Sequence, residues 1–218
     1  MAVVYILNAN NLTTDLSKYN NISLNRLEKI NKSKNTLFIK EQLGSHLLLN
    51  DILENNYFLD PKMIEYIYSE NGKPYLKNKN LYFSLSHSNG VVALTVSKEE
   101  VGLDIEFIKP IKDNLARRIM NDEEYNIYNS LKQSDKILYF YEVWTSKEAY
   151  VKKYASKITL TPSNILVDED ILVKKININN CEYMLSITNA MSLVIDERYI
   201  SKELLERKKK YEICIYKS

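Results

Sequence analysis

An Asn-Gly pair splits the stretch LYFSLSHSNGVVALTVS, residues 81–97, into two short β-prone runs, Leu81–Ser86 and Val91–Ser97. Asn89-Gly90 supplies the positive-φ pair that a tight hairpin turn needs, so the two runs are expected to pair antiparallel. A third β-prone run, Val101–Phe107, follows at once and Pro110 ends it. Three short strands at the centre of the chain leave the flanking segments to cover them.

Those flanks carry the longer helical period. Ile22–Ile30 places Ile22, Leu27 and Ile30 on a helical stripe, and Thr36–Leu53 does so more strongly with Leu43, Leu47, Leu48 and Ile52. Pro61 at a first helical turn suggests a third helix over Pro61–Tyr68. Downstream, two helices are expected near Asn114–Leu131 and Ser134–Tyr154. Residues 2–7 read as a strand, as do Ser163–Val167, Ile171–Ile178, Glu182–Thr188 and Ser192–Asp196; a short helix (Ser201–Lys210) and a strand (Tyr211–Tyr216) follow. Strands and helices in blocks make an α+β fold, with the order strand, helices, strands occurring roughly twice. At roughly 150 residues per domain, 218 residues suit one large domain or two packed lobes.

Charge narrows the function. With 30 Lys and Arg against 28 Asp and Glu, the net charge of +2 gives no broad basic field, which argues against nucleic acid as a partner. Cys181 and Cys214 are far apart and no CxxC occurs, so neither a zinc site nor a disulfide framework is expected. No apolar run approaches the ~18 residues of a membrane span, and the first residues lack the pattern of a secretory leader; a cytoplasmic protein is expected.

Four short segments carry candidate chemistry. In Val101–Phe107, Asp104 and Glu106 are two residues apart and project from one strand face. Two carboxylates that close repel unless a cation or shared proton intervenes, and a hard dication such as magnesium suits oxygen ligands; a solvated strand end gives the same spacing. In FYEVWTSKEAYVKKY, residues 140–154, a helix aligns Phe140, Trp144, Glu148 and Lys152 on one face. Glu148 and Lys152 make either a surface ion pair or a cleft wall that brings a third carboxylate to the first two. Ser86, His87 and Ser88 at the hairpin could hold a phosphate or be structural, and no Ser-His-Asp order supports hydrolysis. Lys73 lies in a Gly72-Lys73-Pro74 turn.

Taken in order, GKP (72–74), FSLSHS (83–88), GLDIE (102–106) and WTSKEAYVK (144–152) resemble the 4′-phosphopantetheinyl transferase superfamily, in its larger monomeric, surfactin-synthetase-activating branch. About forty residues separate the D-x-E pair from the W-x-x-K-E-x-x-x-K segment, and the resemblance covers Gly72–Lys152. It implies a monomeric pseudo-dimer of two similar lobes, 1–103 and 104–218, each a small antiparallel sheet with helices. It implies coenzyme A in the cleft and transfer of its phosphopantetheine arm to a serine of an acyl or peptidyl carrier protein, releasing adenosine 3′,5′-bisphosphate. Asp104, Glu106 and Glu148 become magnesium ligands; Glu148, alone or through a metal-bound water, could also take the serine proton. Ser86 and His87 fall at the 3′-phosphate and ribose, Lys73 at the adenine, and Lys152 at the pyrophosphate. Lys32 and Lys34 occupy basic positions for the 3′-phosphate, or form a solvated helix end. His46 stands where the family carries a phosphate-binding arginine. The stretch 153–158 lacks the family's glycine. Ile119, Met120, Tyr125 and Tyr128 could equally be a carrier-docking patch or helix core. The length suits the secondary-metabolism branch. A different metal-dependent phosphoryl enzyme and a non-catalytic coenzyme A or carrier-binding relic are the rival readings.

Overall fold

The structure, a computed structural model, describes residues 1–77, 80–154 and 161–196. The expected helix over 201–210, the strand over 211–216, Cys214 and residues 155–158 of the glycine-free stretch lie outside the described residues.

Among the described residues, three sheets and five α-helices make up the α+β fold. The first sheet has the order β4-β5-β1-β9, formed by β1 (Ala2–Asn8), β4 (Tyr82–Ser88), β5 (Val91–Ser97) and β9 (Leu193–Asp196). The hairpin is the one expected: β4 and β5 pair antiparallel from Tyr82↔Ser97 to Ser88↔Val91, with Asn89 and Gly90 both at positive φ. A side chain at Gly90 would run into Asn10, its Cβ 2.3 Å from Asn10 Oδ1, so that turn needs glycine for space as well as for φ. β9 pairs with β1 in parallel register, Ala2↔Leu193 to Tyr5↔Asp196, so one pairing departs from the all-antiparallel expectation.

A second sheet, β6-β8-β7, is antiparallel and consists of β6 (Leu103–Phe107), β7 (Ile171–Ile178) and β8 (Cys181–Thr188). The third is the small pair β2 (Tyr66–Tyr68) and β3 (Pro74–Leu76). β2 corrects the helix expected over Pro61–Tyr68: only Pro61–Met63 forms a 3₁₀ turn, and the chain then extends. Ile64, Tyr66 and Tyr68 alternate with period two as readily as they fit a helix, and pairing with β3 decides between them. The strand expected over Ser163–Val167 is likewise absent; Pro162–Asn164 is a 3₁₀ turn with no ladder beside it.

α2 (Thr36–Tyr57) supports the first sheet. Asn35 caps it, its side-chain oxygen accepting from the Leu37 and Phe38 amides at 3.0 and 3.1 Å, and Phe58 ends it in the left-handed region. Leu43, Leu48, Ile52 and Leu53 are fully buried against Leu7, Val92 and Leu94. Each such side chain contributes about 1.5–3 kcal/mol of hydrophobic stabilisation. α1 (Leu24–Lys32) lies against α2.

α5 (Gln133–Tyr154) packs on β6, β8 and α4 (Asp122–Ser130), and α3 (Asp113–Ile119) shares a core cluster with it. Asn121 and Glu124 form a reciprocal capping box on α4. Ile119, Met120 and Tyr128 are buried in the core cluster with Phe140 and Tyr141, so three of the four side chains considered for a docking patch are core. A separate cluster joins Val4, Ile6 and Ala93 to Leu103, Ile105, Leu185 and Ile187, binding the two larger sheets together.

Candidate active site

β4 presents three serines to β6. Ser84, Ser86 and Ser88 alternate along the strand, and each hydroxyl reaches across. The Ser84 hydroxyl accepts from the Leu103 amide at 2.9 Å, Ser86 donates to Asp104 Oδ1 at 2.7 Å, and Ser88 donates to Glu106 Oε2 at 2.7 Å while accepting from the Phe107 amide. The period of two that aligns Asp104 with Glu106 also aligns their partners.

From the other side, α5 lies on the start of β6. Gly102 is required there, because a Cβ at that position would sit 1.8 Å from the Ala149 carbonyl oxygen. Its amide donates to Thr188 Oγ1 at 2.9 Å. Thr145 ties the same helix to β8, its hydroxyl 2.6 Å from Ser186 Oγ. The close approach lets Lys152 donate to Asp104 Oδ1 at 2.6 Å and to Ser86 Oγ at 2.8 Å. Asp104 is 2% exposed and its second oxygen, Oδ2, is buried without a hydrogen-bond partner.

Glu106 and Glu148 respond to this crowding. Burial, then the charge of Asp104, push Glu106 above the ordinary 4.5, against hydrogen bonds from Ser88 and Trp144 and the charge of Lys152. Burial and Asp104 likewise raise Glu148, Lys152 opposes them, and Glu106 adds a smaller upward push. The three carboxylates and one ammonium therefore share a field. Among the described residues, no group of three His, Cys, Asp or Glu side chains is assembled into a cation-binding cluster; in this arrangement the Lys152 ammonium is the cation on Asp104. The donor set nonetheless fits a hard dication, since one buried carboxylate oxygen lacks a partner and the ionised forms of two further carboxylates are disfavoured by burial and then by negative charge.

The remaining expected residues divide into two groups. His87, on β4, faces α2, with Nδ1 2.9 Å from Glu41 Oε2 and Nε2 3.1 Å from the Gln42 amide nitrogen. Gln42 in turn lines a cavity of about 200 Å³ together with Arg26, Lys29, His46, Tyr66 and Phe83. His46 is buried on α2, Nε2 2.8 Å from the Asn20 carbonyl oxygen. Lys34 is exposed between α1 and α2 and does not line the cavity; Lys32 pairs with Glu28 on the solvated face of α1. Gly72 and Pro74 line the cavity, whereas the Lys73 ammonium donates to the Lys153 carbonyl at 3.1 Å and lies 3.8 Å from Glu100. Burial lowers the Lys73 pKa, and Glu100 offsets part of that.

Arg26 and Lys29, which line the cavity together with Lys62, are three residues apart on one face of α1, a spacing the sequence carries without a motif around it. Arg26 also donates to the Gln42 carbonyl at 2.8 Å. Lys147, in the W-x-x-K-E segment, serves structure: buried, it donates to Glu124 at 2.6 Å and to the Ile119 and Pro162 carbonyls at 3.0 Å.

Residues 100–199 match the sequence model of the 4′-phosphopantetheinyl transferase superfamily. Similar proteins include a 4′-phosphopantetheinyl transferase of Bacillus subtilis, 27% identical over 140 residues, which are 64% of this chain and 62% of that protein. The 4′-phosphopantetheinyl transferase HetI of a Nostoc species is 33% identical over 48% of this chain and 47% of its own length. For the 4′-phosphopantetheinyl transferase Sfp of Bacillus subtilis the figures are 29%, 52% and 51%. The matches thus span about half to three fifths of these relatives.

Proposed function

From the match of residues 100–199 to the 4′-phosphopantetheinyl transferase superfamily and from the site geometry, we propose that the protein moves the phosphopantetheine arm of coenzyme A onto a serine hydroxyl of an acyl or peptidyl carrier protein. The arrangement around Asp104 carries the proposal: a buried carboxylate with one oxygen on Lys152 and the other unpartnered, beside two carboxylates whose protonation it favours.

Coenzyme A enters at the cavity beside α1 and α2, where Arg26 and Lys29 supply positive charge for its phosphates, in place of Lys32 and Lys34. Gly72, Pro74 and Phe83 give that cavity apolar or backbone surface suited to a nucleobase, and Gln42 links it to His87 and the β4 serines. The diphosphate then lies toward Asp104, Glu106 and Glu148, the residues that would hold magnesium. When bound, the ion would neutralise charge developing on the leaving phosphate. Lys152 orients that leaving phosphate and donates a proton to its oxygen. Glu148, whose burial and neighbours favour its protonated form, accepts the serine proton as the hydroxyl oxygen bonds to phosphorus. The P–O bond to adenosine 3′,5′-bisphosphate breaks, and the arm remains on the carrier serine. Asp104 holds Lys152 in place throughout.

The reading takes the molecule as a monomer of two lobes, 1–103 and 104–218; a sheet and core cluster in each half support it, with β9 crossing back to the first sheet. Incubation with coenzyme A, magnesium and a panel of carrier domains, followed by intact-mass measurement, tests the function. Carrier heavier by one phosphopantetheine arm is expected, and no gain in Asp104→Ala that remains folded. Coenzyme A bound but never transferred would favour the relic, and hydrolysis without a carrier adduct would favour a different phosphoryl enzyme.

A further inference from the structure

Glu41 is a buried carboxylate, its side chain 9% exposed, to which neither the D-x-E pair nor the α5 face assigns a task. It bridges α2 and the β4–β5 turn. Oε1 accepts from the Gly90 amide at 2.8 Å, and Oε2 lies 2.9 Å from His87 Nδ1. Phe38, one helical turn earlier, holds the same ring edge-on at 6.0 Å between centroids. His87 is thus clamped on two sides, with Nε2 facing the Gln42 amide nitrogen at 3.1 Å.

We propose that Glu41 is a positioning residue that keeps a proton on His87 Nδ1 and aims Nε2 at the ligand. The proposal deepens the function above and rests on it: the ligand is coenzyme A, and the group met by Nε2 is one of its phosphates. The carboxylate matters because it can only accept. Facing it, Nδ1 must carry hydrogen, so Nε2 is the one ring position left to respond to an incoming anion. When Nε2 takes a proton against a phosphate, the ring becomes a cation paired with Glu41 on one side and with phosphate on the other, and charge-assisted bonds of this kind are the strong ones. Gln42, which lines the cavity beside Arg26, is the present partner of Nε2 and is displaced by the phosphate.

Glu41→Gln isolates the effect. The Gly90 N–H still requires an oxygen, so the amide oxygen stays on the turn and the amide NH₂ falls against His87 Nδ1. Nδ1 must then accept, and the ring is forced into the other tautomer, Nε2–H, with no carboxylate behind it. The chain contains two histidines, His46 and His87, so ¹⁵N imidazole spectra resolve them readily. Near pH 8, the wild type should show His87 protonated at Nδ1, and Glu41→Gln should show it protonated at Nε2. Calorimetric titration of the full chain with coenzyme A and magnesium should show Glu41→Gln weakened about tenfold. His87→Ala should be weakened at least as much, and the double variant no more than His87→Ala alone. An unchanged tautomer in Glu41→Gln, unchanged affinity, or additive losses in the double variant would each overturn the proposal. The wild-type spectrum decides the tautomer whatever any variant does. A wild type that binds no coenzyme A would instead refute the function and, with it, the ligand role of Nε2.

Discussion

Substituting Gly102 by alanine should separate the two elements that carry the acidic cluster. The added Cβ would lie 1.8 Å from the Ala149 carbonyl oxygen and 2.8 Å from both the Ala149 carbonyl carbon and the Lys153 amide nitrogen. All three are backbone atoms in the middle of a helical turn, so no side-chain rotation relieves the contact and α5 must move outward. Overpacking costs about 1–3 kcal/mol where side chains can yield, and the rigid neighbour here puts the loss at about 3 kcal/mol. For a chain of this length that is roughly 6–12 °C in melting temperature. Asp104 and Glu106 stay with β6 while Glu148 and Lys152 leave with α5, and a displacement of about 1 Å is enough to cost about a hundredfold in rate. Gly72→Ala is the control. Gly72 has φ +78° and open space around it, so only backbone conformation is lost, about 1–2 kcal/mol. Thermal melts followed by circular dichroism, with carrier-adduct formation measured in parallel, compare the two. A Gly102→Ala melt within about 2 °C of wild type, or a larger loss in Gly72→Ala, would refute the steric argument.

Lys147→Met should destabilise the fold by about 3–5 kcal/mol, because it strips Glu124 and the Ile119 and Pro162 carbonyls of a buried donor; a urea midpoint equal to wild type would show that these bonds contribute nothing. Glu106 and Glu148 hold their protons more tightly folded than unfolded, so their contribution is present below pH 4.5 and is lost as pH rises through their raised values. The melting temperature of metal-free wild type minus that of Glu148→Gln should therefore fall between about pH 4 and pH 8. A difference that grows with pH would reverse the sign of the argument.

Local chemistry made much of this architecture legible. The Asn89-Gly90 turn, the strand at β6 and the helix at α2 each follow from a local pattern and form where expected, although α2 is buried all round over 41–50 and β6 on both faces over 103–105. Pro61–Tyr68 was open to two periods, and its strand emerges only because β3 lies alongside. The parallel pairing of β9 with β1 joins residues some 190 apart, which no local pattern encodes. Sequence aligned Glu148 with Lys152, but it could not say that Lys152 would cross to Asp104, because that contact depends on how closely Gly102 lets α5 approach. The basic residues near α1 show the same limit. Lys32 and Lys34 look like the cationic end of the helix, yet Arg26 and Lys29 face the cavity, and only the position of α2 decides which face is inward. Glu41 carried no signal at all, since its partners lie 46 and 49 residues away and neither spacing belongs to a motif.

The β9–β1 pairing bears on how the molecule is made and how it can be cut. β1 is an inner strand only while residues 193–196 lie along its outer side. Until a ribosome has delivered that late segment, the earliest strand keeps a row of amides and carbonyls open to any passing extended chain. A fragment ending at residue 103 would carry the same open row permanently, so the two halves should stay soluble far better co-expressed than apart.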